Sequence, residues 1–248
     1  MSPTGPLTLA IEASNPGPHS PAMGPQLPRV SVCLGRPRPG SAAEVLGFES
    51  VPTDRRDDEG LIPAVDRLVR GAGKGPRDLR RVAVSIGPGG FTGLRLAVAF
   101  AKMVCEVTGA ECVAVPTAHA LIRRVDAALR AERPGMILLA WKRDDVWAER
   151  FDAGDSIHPA SPGALTPIRA LQPRPNEIIV CDAELEATMR TLGLVPPGAA
   201  MVRPRFDASA VLEASDCITP IDPIALSPLY PREPEAATKW RELKKRGK

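Results

Sequence analysis

A helical segment that is apolar around almost its whole circumference places the strongest constraint on this chain. Residues 93–107 read GLRLAVAFAKMVCEV, and their only charged side chains are Arg95, Lys102 and Glu106. At about 100° per residue, these three side chains project within roughly 40° of one another. A helix that packs on a sheet normally keeps a broad polar face for water. We therefore expect this helix to be covered on its outer side too, either by its own chain or by a second protein.

A glycine-rich turn, SIGPGGFTG at residues 85–93, precedes this helix and follows the apolar stretch RRVAVSIG. Such a strand is typical of burial on both faces, and backbone N–H groups at a following helix start can bind an anion. A Walker A loop would need a lysine after the glycines, and a dinucleotide loop would need a third glycine where Thr92 stands. Two interpretations stay open, a phosphate loop and a sharp turn that glycine makes possible. The loop residues are Gly87, Gly89, Gly90, Phe91, Thr92 and Gly93.

The order of elements predicts an α/β fold that starts with three strands. LTLAIEAS, RVSVCLG and EVLGFESV are followed by a helix at residues 57–73, the buried strand, the apolar helix, the strand ECVAVP and a helix for which Thr117 is the expected cap. A three-strand meander followed by helical crossovers describes a ribonuclease-H-like lobe.

The second half of the chain begins this pattern again. MILLAW and VWAERF read as a hairpin, EIIVCD as a strand, AELEATMRTLG as a helix capped by Asp182, and ASAVLEAS as a short helix after Asp207. We expect two lobes, at residues 1–116 and 117–248, of which the second is a degenerate copy of the first.

Composition excludes several classes of protein. No apolar run approaches the ~20 residues of a membrane helix, and the five cysteines include no Cys-x-x-Cys pair, which favours reduced thiols and a cytoplasmic protein. The three histidines show no zinc-protease spacing, and no Gly-x-Ser-x-Gly nucleophile motif occurs. Glu12, at the end of the first strand, is the candidate for a residual nucleotide or metal contact. No metal site is expected with this one carboxylate alone.

The last ten residues, KWRELKKRGK, concentrate positive charge in a chain whose net charge is only +3. Such a tail is either a solvated segment or a segment that meets RNA phosphates.

The motifs VAVSIGPGGFTGLRLAVAFAKMV, VAVPTAHAL and SPLYPREPEAATKW together resemble those of the TsaB (YeaZ) family. Members of that family carry Gly-x-Gly-Ser-Phe-Thr-Gly-x-Arg followed by a strand that ends in Val-Pro-Thr. Their first strand usually ends in Asp-Thr-Ser, where this chain has Glu12-Ala13-Ser14.

The resemblance implies an actin/Hsp70-type fold of two lobes and a role in forming N6-threonylcarbamoyladenosine at position 37 of tRNA. It implies a subunit that is not catalytic alone and that binds a TsaD-like catalytic subunit, with a TsaE-like ATPase as a further partner and tRNA contacted indirectly. A homodimer is the alternative assembly. ATP and Mg²⁺ are implied only for the complex, and we assign no cofactor to this chain.

Family members pair through helices that correspond here to residues 61–72 and 93–107. Helical periodicity selects the side chains for this surface, and we expect Val98→Glu to abolish the pairing. The residues expected in the partner interface are Leu61, Val65, Leu68, Leu94, Arg95, Val98 and Ala101. The competing hypothesis is a nucleotide-binding phosphotransferase or ATPase of the same fold that uses Glu12 and residues 87–93.

Overall fold

The computed structural model describes residues 5–15, 30–38, 41–51, 57–142, 144–154, 160 and 162–231. The Pro-rich loop that follows Asn15 and the basic tail lie outside these residues. None of the helices in the described segments combines the length and apolar character that crossing a bilayer requires.

The first sheet has five strands in the order β3-β2-β1-β4-β5. Its first three strands are antiparallel, and β1, β4 and β5 are parallel. The elements of this half are β1 (Thr8–Glu12), β2 (Val30–Arg36), β3 (Glu44–Val51), α1 (Asp57–Gly71), β4 (Arg81–Gly87), α2 (Phe91–Thr108) and β5 (Glu111–Pro116). This order confirms the predicted succession of strands and helices.

The second sheet repeats the topology of the first in the order β8-β7-β6-β9-β10. An antiparallel meander is again followed by two parallel strands, but β8 has four residues and β9 and β10 have three each. The strands are β6 (Gly135–Lys142), β7 (Asp145–Phe151), β8 (Ala164–Pro167), β9 (Ile178–Val180) and β10 (Ala200–Val202). The expectation of a degenerate second copy is thereby confirmed.

The helices of the second half are short. They are α3 (Thr117–Ile122), α4 (Ala127–Glu132), α5 (Ala183–Thr191) and α6 (Ala208–Ala214). Asp182 caps α5 as predicted, because its carboxylate accepts the backbone N–H of Leu185 at 2.8 Å. The prediction of a single helix after β5 is wrong, because the chain forms two helices there, α3 and α4. Thr117 is the first residue of α3 and does not cap it.

Two helices, α3 and α6, each pack on the sheet that they do not follow in the chain. The apolar side chains of α6 pack on the face of the first sheet formed by Ala10, Cys33 and Ala83. Most apolar side chains of α3 pack with Ile137 and Leu139 of the second sheet. Each sheet is therefore covered partly by a helix that follows the other sheet in the chain. The division at residue 116 stays a prediction.

Two ion pairs join α6 and its cap to Arg124, which follows α3 in the chain. The guanidinium of Arg124 contacts the carboxylate of Asp207 at 2.7 Å and that of Glu213 at 3.1 Å. Asp207 also caps α6, because it accepts the backbone N–H of Ala210 at 2.9 Å. Burial acts to raise the pKa of Asp207, but hydrogen bonds from Arg124 and Ser209 outweigh it and lower this pKa to about 2.

Candidate functional site

The glycine loop between β4 and α2 is packed against backbone on two sides. Gly87 has a φ of +105°, and a Cβ there would lie 3.0 Å from the carbonyl oxygen of Leu229. A Cβ on Gly89 would lie 2.0 Å from the carbonyl oxygen of Ser14. The backbone N–H of Gly90 donates to that same oxygen at 2.8 Å. These close approaches account for the glycines without a bound phosphate.

Glu12 lies beneath this loop, at the end of β1. Its side chain is 2% exposed, and its Oε1 accepts hydrogen bonds from both the backbone N–H and the hydroxyl of Ser14. The Ser85 hydroxyl accepts the backbone N–H of Ala13 at 3.1 Å and also interacts with the Glu12 carboxyl. Burial raises the pKa of Glu12 to about 7, although the hydrogen bonds from Ser14 act to lower it.

Glu12 is therefore engaged by the protein's own groups. Within the described residues, no three His, Cys, Asp or Glu side chains gather closely enough to hold a metal ion.

The predicted partner residues of α1 and α2 mostly face inwards. Six of the seven are between 0% and 9% exposed and belong to the core cluster or lie beside it, and only Arg95 is exposed. The choice of face was wrong, because these six positions are the ones that pack towards the first sheet. The six buried residues are Leu61, Val65, Leu68, Leu94, Val98 and Ala101.

Other apolar side chains of the same two helices project into solvent. On α2, Phe91 is 45% exposed, Met103 is 52% exposed and Val107 is 78% exposed. Ile62 of α1 is 53% exposed, and α1 and α2 pack against the same face of the first sheet. We call these four residues the α1–α2 outer face. The predicted interface did not include them, and the sequence signal for them is that α1 and α2 carry more apolar residues than a single sheet-facing side needs.

A later segment of the same chain covers one edge of α2. Cover by the protein's own chain was one of the two alternatives for this helix, and cover by a second protein was the other. Lys102 donates to the carbonyl oxygen of Ile224 at 3.0 Å, and the backbone N–H of Leu229 donates to the carbonyl oxygen of Ile86 at 2.7 Å. Residues 222–231 thus run along this edge and leave Met103 and Val107 exposed.

An aromatic clamp closes this arrangement at the start of α2. The guanidinium of Arg95 lies 3.8 Å from the centre of the Phe91 ring and donates to the Tyr230 hydroxyl at 2.9 Å. The rings of Phe91 and Tyr230 have centroids 5.0 Å apart. Phe91 and Arg95 of α2 therefore hold the C-terminal segment. Thr92 is exposed, and Gly93 is buried against Ala13, the residue that follows β1.

Comparison with known proteins relates the chain to one family model. Residues 51–144 match the model of TsaD, described as tRNA N6-adenosine threonylcarbamoyltransferase. No curated protein matches the chain at a significant level.

Two solved structures share the fold. The chain is 18% identical to an uncharacterized protein with similarity to peptidase YEAZ from Pseudomonas aeruginosa, with a TM-score of 0.67 over 92% of this chain and 100% of that chain. It is also 18% identical to YeaZ from Pseudomonas aeruginosa, with a TM-score of 0.66 over 91% of this chain and 99% of that chain. The fold is therefore the two-lobed, actin-like α/β fold of the YeaZ structures.

Proposed function

We propose that this protein is a non-catalytic subunit of the machinery that forms N6-threonylcarbamoyladenosine at position 37 of tRNA. It binds a TsaD-like catalytic subunit through the α1–α2 outer face, in the cytoplasm. The fold of the YeaZ structures and the match of residues 51–144 to the TsaD model support this assignment.

The exposed apolar surface of α2 carries the proposal. Met103 and Val107 lie one helical turn apart at the end of an 18-residue helix, and both are more than half exposed. Full burial of such a side chain contributes about 1.5–3 kcal/mol. A cluster of this kind on a helix is typical of a protein-binding surface rather than of a surface that meets only water.

The geometry of the face fits a helical partner. α1 and α2 lie side by side on one face of the first sheet, with Ile62 on one helix and Met103 on the other exposed. Two adjacent helices present ridges and grooves into which a partner's helices can pack. The covered edge along residues 222–231 limits this surface on the side of Tyr230.

Substitution of Val107 tests the proposed face. Because Val107 is 78% exposed in the free protein, Val107→Glu should change its own stability by no more than about 0.5 kcal/mol. In a complex the new carboxylate would be buried without a partner, so the affinity for a co-expressed TsaD-like protein should fall at least about 100-fold. Isothermal titration calorimetry would measure the affinity of the unaltered protein and that of the Val107→Glu variant.

The control variant is Val45→Glu. Val45 is 47% exposed on β3, the edge strand that β2 and β1 separate from β4, the strand that leads into α2. Its substitution should leave the affinity unchanged. Equal affinities for the Val107 and Val45 variants would remove the outer face from the interface. Size-exclusion chromatography with light scattering, at matched concentrations, would show whether a homodimer competes for the same face.

The tRNA role needs a cellular readout. Depletion of this protein should lower threonylcarbamoyladenosine in tRNA hydrolysates analysed by mass spectrometry. Re-expression of the unaltered chain should restore it, and re-expression of the Val107→Glu variant should not. Unchanged nucleoside levels after depletion would contradict the proposed function.

A further inference from the structure

The turn that follows β1 is held by a single carboxylate. Oε1 of Glu12 accepts both the backbone N–H and the hydroxyl of Ser14, two residues further along the chain. This pair of bonds fixes the Ala13–Ser14 peptide group and the Ser14 side chain, and thereby limits where the Ser14 carbonyl can lie. The Ser85 hydroxyl, which binds the backbone N–H of Ala13, supports the same turn from β4.

The turn formed by Ala13 and Ser14 contacts the start of α2. The carbonyl oxygen of Ser14 accepts the N–H of Gly90, which is the N-cap residue of α2, at 2.8 Å. A Cβ on Gly89 would lie 2.0 Å from this oxygen, and a Cβ on Gly93 would lie 2.8 Å from the carbonyl oxygen of Ala13. The first turn of α2 is therefore in direct contact with residues 13 and 14, and little space remains for it to shift.

The helix start has no cap of the usual kind. The N-cap residue of α2 is glycine, no side chain caps the first turn, and no acidic residue lies in it. Helix starts that lack a side-chain cap depend on other contacts for their order. Here the contacts with Ala13 and Ser14 serve that purpose.

We propose that Glu12 is a positioning residue for α2, acting through Ser14 and Gly90, and that it thereby sets the position of the α1–α2 outer face. The inference rests on the proposed function only in its second part. Its first part, the order of the α2 start, can be measured on the free protein. The nucleotide or metal contact that the sequence suggested for Glu12 stays a separate prediction.

Three variants test the Glu12 oxygen that accepts the two hydrogen bonds from Ser14. Glu12→Ala removes the acceptor, Glu12→Gln keeps an oxygen that both Ser14 groups can reach, and Ser14→Ala removes only the hydroxyl donor. Thr8→Val is the matched control. Thr8 is fully buried on the same strand, and its hydroxyl donates to Pro6 at 2.9 Å, far along β1 from the glycine loop.

Hydrogen–deuterium exchange of the full chain gives the first readout. In Glu12→Ala, the amides of Gly90 and Leu94, which donate to the carbonyl oxygens of Ser14 and Gly90, should exchange about tenfold faster relative to the rest of α2, as expected for the loss of one or two buried hydrogen bonds. Ser14→Ala should raise the rate about threefold. Glu12→Gln and Thr8→Val should leave these amides within about twofold of the unaltered protein.

Affinity for the TsaD-like protein gives the second readout, at a temperature where every variant is folded. A residue that positions an interface without touching it changes affinity by about tenfold, so Glu12→Ala should bind about tenfold more weakly and Glu12→Gln about as well as the unaltered chain.

The outcomes of the two readouts are separable. If the unaltered protein does not bind the TsaD-like protein, the proposed function fails, and the exchange rates still decide the positioning role. If Glu12→Ala does not fold, Ser14→Ala decides it. Exchange at Gly90 and Leu94 that is the same in Glu12→Ala, Ser14→Ala and Thr8→Val would overturn the inference. So would an equal loss of protection in Glu12→Gln and Glu12→Ala.

Discussion

Replacing Glu12 with Gln should change how the stability of this protein depends on pH. The carboxyl is 2% exposed, and burial raises its pKa from 4.5 to about 7 in the folded protein. The folded state therefore holds a proton that the unfolded chain has already released at pH 6. Nearby negative charge on Asp207 acts in the same direction.

The sign and size of the effect follow from this difference. A carboxyl with a raised folded pKa stabilises the protein fully below the unfolded pKa of 4.5, and this stability is lost as the pH rises through about 7. Each pKa unit corresponds to about 1.4 kcal/mol, so the whole effect is about 3 kcal/mol. Between pH 5 and pH 7 the unaltered protein should lose about 2 kcal/mol relative to Glu12→Gln.

Denaturant unfolding of both proteins at pH 5, 6, 7 and 8 would measure this loss. The other ionisable groups are common to both chains, so they cancel in the difference between the two free energies of unfolding. The Gln variant should become the more stable relative to the unaltered protein as the pH rises. A difference that stays constant within about 0.5 kcal/mol, or that changes in the opposite direction, would refute a buried and protonated Glu12.

Three further predictions concern other parts of the structure. Gly89→Ala should lower the free energy of unfolding by about 3 kcal/mol or more, because the new Cβ would lie 2.0 Å from the carbonyl oxygen of Ser14. The control Gly71→Ala should change the free energy of unfolding by less than about 1 kcal/mol, because a Cβ at Gly71 would meet no neighbouring group within 4 Å. Equal effects in denaturant unfolding would contradict the close packing of the loop. Tyr230→Ala should speed hydrogen exchange in residues 222–229, because it removes the ring and hydroxyl that the α2 clamp holds, and unchanged exchange would show that the clamp is dispensable. Asp207→Ala should cost about 1–2 kcal/mol near neutral pH, a loss that shrinks as acid protonates the unaltered carboxylate between pH 3.8 and about 2; a cost independent of pH would contradict its ionised pairing.

The strands and helices of the first lobe could be predicted because their signals are local. β4 is apolar on both faces, and the structure packs Val82 and Val84 towards α1 and α2 and Ala83 towards α6. Gly109 ends α2 with a φ of +72°, and a glycine at this place is itself a local signal for a helix end, because other residues rarely adopt this φ.

The orientation of α2 could not be predicted, for a physical reason. Its three charged side chains occupy only a narrow stripe, so periodicity leaves open which of the many apolar positions meet the sheet. Val98 and Val107 look alike in the sequence, yet one is 4% exposed and the other is 78% exposed. The expected test, Val98→Glu, would place a charge in the core and would report on folding rather than on pairing.

Local sequence patterns also could not predict that residues 222–231 cover the edge of α2. Tyr230 lies 135 positions after Arg95 in the chain, and nothing in either neighbourhood marks them as partners. The same holds for the bond between Ala208 and Ser31, which lie 177 positions apart. Contacts of this length depend on the whole topology.

The crossing of α3 and α6 between the sheets has a consequence for how this protein is made. During synthesis, the five strands of the first sheet leave the ribosome long before α6, so the face formed by Ala10, Cys33 and Ala83 has no cover from α6 in that interval. Apolar surface that waits in this way is where nascent chains associate wrongly or recruit chaperones. A ribosome that pauses before residue 208 would prolong this exposure, and a fragment cut after β5 would carry it permanently.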